Sequence, residues 1–98
     1  MFMKVYFKMT EETALKRAIK DYLNLKQIAW WYNLQGLGSY RGIPDFCIHH
    51  RGKLYALEAK SKRGRQSQHQ QNFQQMIERT GGTYILCDDI DQIIDLFP

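Results

Sequence analysis

The chain has 98 residues, of which 44% are hydrophobic and 13% aromatic; this argues for a single globular domain over 1–98 and excludes a disordered segment. Two cysteines outside any CxxC spacing, and no apolar run near the ~18 residues of a membrane span, exclude a zinc ribbon and a spanning helix. The net charge of +4 is unevenly spread: Arg51, Lys53, Lys60, Lys62, Arg63 and Arg65 face only Glu58 within 51–65, whereas 78–98 is acidic, so one basic face suits a polyanion.

Residues 3–8, "MKVYFK", read as a short extra strand, and Lys4 and Lys8 break the apolar run that a signal peptide would need. Thr10 is placed to cap a helix from about Glu11 to Leu25, with Glu11 and Glu12 in its first turn and Leu15, Ala18, Ile19, Tyr22 and Leu23 as its buried stripe. "IAWWYNL", 28–34, reads as a strand, and "QGLGSYRG", 35–42, as a loop. Residues 42–60 read as a hairpin turning at Arg51-Gly52. After the basic loop "SKRGRQ", Ser67 caps a helix to about Thr80 with Phe73, Met76 and Ile77 inward, ended by Gly81 and Gly82. "TYILC", 83–87, is a buried strand. Asp88 or Asp89 caps a last helix with the stripe Ile90, Ile93, Ile94 and Phe97. The fold class is therefore α/β, a mixed central sheet flanked by helices with a helix at the C-terminal end. Cys47 and Cys87, in apolar strands, read as buried free thiols of a reducing, cytoplasmic compartment.

The hairpin carries the chemistry. A two-residue turn at 51–52 sets Asp45 opposite Glu58, with Cβ atoms roughly 4.5–5.5 Å apart, and alternation puts Lys60 on the same face. Two opposed, partly buried carboxylates repel and desolvate badly, and a divalent cation between them removes the conflict. Mg²⁺ takes oxygen ligands and keeps waters that can react; Lys60 is placed to orient such a water or offset charge on a phosphate. The alternative is a salt-bridged trio on an exposed sheet face, with Lys60 neutralising one acid.

At these residues the sequence resembles the PD-(D/E)XK nuclease superfamily: Pro44-Asp45 matches the PD, and Glu58-Ala59-Lys60 the (D/E)XK. "RGIPDF", "LEAKSKRGRQS", a glutamine just inside the next helix and a glycine before the last strand together resemble the VRR-NUC (virus-type replication-repair nuclease) family, over roughly 11–87. The resemblance implies a restriction-endonuclease-like αβββαβ core and a Mg²⁺- or Mn²⁺-dependent endonuclease. It implies that Asp45, Glu58 and the backbone carbonyl of Ala59 hold the metal and that Lys60 assists the attacking water. It also implies an acidic residue on the first helix; position relative to Leu15 and Ile19 assigns this to Glu12, which helical geometry does not separate from Glu11. The helix-start glutamine falls on Gln70, which the Ser67-x-x-Gln70 spacing equally makes half of a capping box; Gln68 and Gln71 are its neighbours.

Around these, Arg41, Lys62, Arg63, Arg65 and Ser67 are candidate DNA contacts, using positive charge and helix N-terminal amides, with Tyr40 beside Arg41. His49 and His50, on opposite strand faces, are poor joint ligands. Trp30 and Trp31 suit packing or an interface better than base stacking. Single-domain members resemble Holliday-junction resolvases acting as homodimers, and a two-fold dimer matches a four-way junction's symmetry. The resemblance thus implies branched DNA as partner, a second copy of the chain, and a phage or prophage origin. The alternatives are a flap- or nick-directed nuclease, and a non-catalytic DNA-binding subunit that retains the fold.

Overall fold

The computed structural model describes residues 9–98; the strand expected at 3–8 lies outside them. Helix α1 runs Glu11–Leu25. The Thr10 hydroxyl accepts the Thr13 N–H at 3.1 Å, and the two glutamates of the first turn face the positive end of the helix dipole. Ile19 and Leu23 are fully buried, with Leu15 and Tyr22 packed beside them.

Four strands follow: β1 (Ala29–Tyr32), β2 (Phe46–His50), β3 (Lys53–Ala59) and β4 (Thr83–Cys87), in spatial order β1-β2-β3-β4. The first three pair antiparallel and β4 joins β3 in parallel. Parallel pairing needs a crossover, supplied by α2 (Gln68–Arg79). Helix α3 (Ile90–Leu96) closes the chain, its N-cap being Asp89 rather than Asp88. β1 is shorter than its sequence pattern because Asn33 turns inward: its N–H donates to the Asp45 carbonyl at 2.9 Å and its side-chain amide to the Pro44 carbonyl at 3.0 Å.

The hairpin has the expected turn. His50 pairs with Lys53 and Phe46 with Leu57, so Asp45 and Glu58 are the next opposed positions. Both turn residues take left-handed backbone, Arg51 at φ 51° and Gly52 at φ 78°, as a type I′ turn requires. The sequence reading assigned that conformation only to the glycine.

The main core lies between the sheet and the α1/α3 layer, where Phe46, Ile48, Leu57, Ile85, Cys87, Ile93 and Phe97 are buried. The Tyr22 hydroxyl ties α1 to the end of α3 by donating to the Phe97 carbonyl at 2.6 Å. Two expectations about packing need correction. Helix α2 has no fully buried residue: Phe73, Met76 and Ile77 are half-buried, because the glutamine-rich helix presents only a narrow apolar edge to one sheet face. Ile94 is exposed, since the seven-residue α3 turns only Ile93 and Phe97 fully inward. Trp30 packs edge-on against Phe46 and Tyr32, whereas Trp31 on the outer strand is 46% exposed. Cys47 and Cys87 are free, and only Cys87 is fully buried. No helix among the described residues is long and apolar enough to cross a membrane.

Candidate active site

Pro44, itself buried, leads into Asp45 at the mouth of β2. Asp45 Oδ2 accepts the backbone N–H of Ala59 at 2.8 Å, so this carboxylate spans the end of the hairpin. Glu58, one residue earlier on β3, is 2% exposed and is the buried charged residue of the described core. Its Oε2 accepts the Gln70 side-chain N–H at 3.0 Å and lies 3.9 Å from Lys60 Nζ. Its Oε1 is buried without any hydrogen-bond partner. Burial, and then the negative charge of Asp45, push the Glu58 carboxyl up to about 8; Lys60 opposes them and Glu12 adds a little.

Gln70 makes two contacts at once, one in the capping box and one to Glu58. Its Oε1 accepts the Ser67 N–H at 2.8 Å and the Ser67 hydroxyl accepts the Gln70 N–H at 3.1 Å, a complete capping box. The other end of the same side chain reaches Glu58. Gln68 instead donates to Asn72 on the helix surface, and Gln71 lies at the helix start with its amide 3.5 Å from the Gln66 carbonyl.

Helix α1 closes the site through a residue that sequence reasoning missed. Lys16 Nζ lies 3.3 Å from Glu12 Oε2 and 3.2 Å from Asp45 Oδ1. Burial alone would lower its pKa, but Asp45 and Glu12 outweigh this and hold it above its ordinary value. The only sequence signal was its spacing of four from Glu12, which says nothing of Asp45. The two first-turn glutamates separate here: Glu12 is tied to Asp45 through Lys16 and its charge is felt at Glu58, whereas the charge of Glu11 is felt at Lys62.

The candidate DNA contacts are distributed differently. Arg41 is exposed, its guanidinium 3.1 Å from His69 Nε2. Arg63 and Arg65 are exposed on the β3–α2 connection, and Ser67 caps α2. Lys62 does not stand free: its ammonium lies 3.3 Å from Asp89 and 3.9 Å from Asp88, because β4 runs parallel to β3 and brings the α3 cap alongside. His50 packs its ring edge-on against Phe97, and His49 is exposed.

Among the described residues no three His, Cys, Asp or Glu side chains converge as a metal cage. The donor set nevertheless fits Mg²⁺ or Mn²⁺. Two opposed carboxylates, one with an orphaned buried oxygen, offer oxygen ligands of the kind Mg²⁺ takes, commonly one or two carboxylates with water completing its shell.

No family model matches the sequence, and no curated protein matches it. A solved structure described as "VRR_NUC domain" superposes with a TM-score of 0.75, covering 90% of this chain and 95% of that one at 18% identity. At that identity the likeness concerns the fold. This chain's own order, αβββαβ followed by a C-terminal helix, is the one the motifs implied, and the chain therefore has the α/β fold of a VRR_NUC domain.

Proposed function

We propose that this chain is a divalent-metal-dependent, structure-selective DNA endonuclease, and that it resolves Holliday junctions as a homodimer. The observation that carries the reading is Glu58: a buried carboxyl opposite Asp45, with one oxygen bonded by Gln70 and the other unpartnered. A cation is the group that satisfies both acids, and phosphodiester hydrolysis is the chemistry that two acids, a lysine and a basic surround serve.

Asp45, Glu58 and the Ala59 carbonyl would hold Mg²⁺ or Mn²⁺, with Glu12 reaching it through water. Such an ion, when bound, lowers the pKa of its water and offsets charge on the scissile phosphate. Gln70 fixes the orientation of Glu58 from one side. Lys60, on the same strand face, holds the attacking water in line and balances negative charge as the phosphate expands. Lys16 pairs with both Asp45 and Glu12 and holds them in place; it would share Asp45 with a bound ion. Arg41, Arg63, Arg65 and the α2 N-terminus at Ser67 bind neighbouring phosphates. Lys62 joins them by exchanging Asp88 and Asp89 for phosphate, an exchange of exposed pairs that costs little. The exposed edge of β1, with Trp31 and Tyr32 outward, supplies a surface on which two copies would set their sites about a two-fold axis.

The test is cleavage of labelled four-way-junction, 5′-flap and plain duplex DNA with Mg²⁺ or Mn²⁺, comparing wild type with Asp45→Asn and Lys60→Ala. Paired symmetric cuts in the junction, lost in both variants, are the expected result. Flap cuts alone would retain the site and change the substrate. Absence of metal-dependent cleavage by folded protein would sink the enzyme reading and leave a DNA-binding subunit.

A further inference from the structure

An open cleft of about 630 Å³ runs along α2, sharing Arg41 with the phosphate contacts proposed above. Its walls combine Tyr40 and Arg41 from the loop before β2 with His69, Phe73, Met76 and Arg79 from α2. No Asp or Glu lines it among the described residues, so its two guanidiniums set its sign. Tyr40 is 61% exposed yet held: its ring meets Phe73 edge-on at 5.5 Å and its hydroxyl lies 3.6 Å from the Met76 sulfur. Ordering an aromatic ring while leaving it open to solvent makes a stacking platform.

The cleft is tied to the site through the first turn of α2. Gly42, at φ 78°, lies so close to α2 that a Cβ there would collide with the His69 carbonyl. This pins the 40–42 loop to the helical turn whose Gln70 bonds Glu58. From His69 to Arg79 the helix rises about 15 Å, room for more than one nucleotide of an extended strand.

We propose that this cleft carries an unpaired DNA strand away from the reaction site, with Tyr40 stacking on a base and Arg41 and Arg79 contacting its phosphates. The inference rests on the endonuclease part of that reading and not on the junction: a single-stranded arm is the feature recognised, which among the substrates of the cleavage test only the flap carries. Duplex DNA is the poorer occupant, because its bases already stack on one another and cannot offer a face to Tyr40. A strand without partners offers both base faces and backbone charge.

The proposal is tested by fluorescence anisotropy of a labelled oligothymidylate of about 12 nucleotides, within the usual range of single-strand sites. A blunt duplex of equal length serves as comparison, and EDTA prevents turnover. Tyr40→Ala is expected to weaken oligothymidylate binding by roughly 5-fold or more, the effect of losing one stacked base, while Tyr40→Phe, which keeps the ring, retains it. Arg79→Ala is expected to weaken it too, with a log–log salt slope shallower by about 0.7. Equal affinities across wild type, Tyr40→Ala and Arg79→Ala would overturn the proposal, as would Tyr40→Phe failing as badly as Tyr40→Ala. These readouts involve no cleavage. A wild type that cuts DNA but whose single-strand affinity ignores Tyr40 and Arg79 refutes the cleft alone. A wild type that cuts no DNA refutes the nuclease reading on which the proposal rests.

Discussion

Replacing Glu58 by glutamine should make the metal-free protein more stable, although it removes a proposed metal ligand. Burial and Asp45 raise the Glu58 carboxyl from its ordinary 4.5 to about 8. Between those values the folded protein holds a proton that the unfolded chain has released. Stability therefore falls as pH rises through that window, by ~1.4 kcal/mol per unit at most. At pH 7 the wild type has lost about 3 kcal/mol relative to pH 4 from this group, while an amide has no proton to lose. Its oxygen can still accept from Gln70, and its NH₂ faces the Asp45 side. Urea denaturation in EDTA should then give Glu58→Gln a gain of about 2–3 kcal/mol at pH 7, shrinking towards zero near pH 4. Mg²⁺ at about 1,000 times its Kd should reverse the order, since it adds about 4.1 kcal/mol to the form that binds it. A variant equal to or weaker than wild type at pH 7 in EDTA, with a parallel pH profile, would refute the claim that Glu58 is held uncompensated.

Gln70→Ala removes both the Ser67 N–H acceptor and the donor to Glu58; thermal or urea unfolding should show a loss of about 1–3 kcal/mol, larger than for Gln71→Ala on the same helix. Gly42→Ala forces a left-handed alanine against the His69 carbonyl, and should cost about 2 kcal/mol or more by the same assay, with loss of the Arg41–His69 contact. Arg51→Asn, at φ 51° in the hairpin turn, should stabilise by about 0.5–1 kcal/mol, because asparagine tolerates that backbone better; an unchanged urea midpoint would contradict it.

Much of the fold was legible because its signals are local. Thr10, Ser67 and Gly52 act within a few residues of themselves, so the start of α1, the capping box of α2 and the hairpin register could be read from spacing. The register in turn put Asp45 and Glu58 together without any knowledge of the rest of the sheet. What stayed hidden depends on which elements meet. Lys16 touches Asp45 only because α1 lies across the mouth of β2. Lys62 meets Asp88 and Asp89 only because β4 is parallel to β3. Apolar residues at helical spacing in α2 promised burial, but the number of sheet strands beneath a helix is not encoded in its own period. The choice between Glu11 and Glu12 likewise needed the position of a lysine one turn away and of a strand beyond it.

The bond from the Ala59 amide to Asp45 Oδ2 makes that amide a native sensor. It is a single backbone proton whose resonance and solvent-exchange rate follow what happens to one carboxylate. A cation that draws Asp45 away would release the proton, and exchange there would quicken while the neighbouring β3 amides, bonded within the sheet, kept their rates. Site occupancy could thus be followed in the unmodified protein, with no dye and no turnover. The same bond decides which knock-out is informative: asparagine at 45 still offers an oxygen to that amide, whereas alanine would unfasten the end of the hairpin and confound lost chemistry with lost structure.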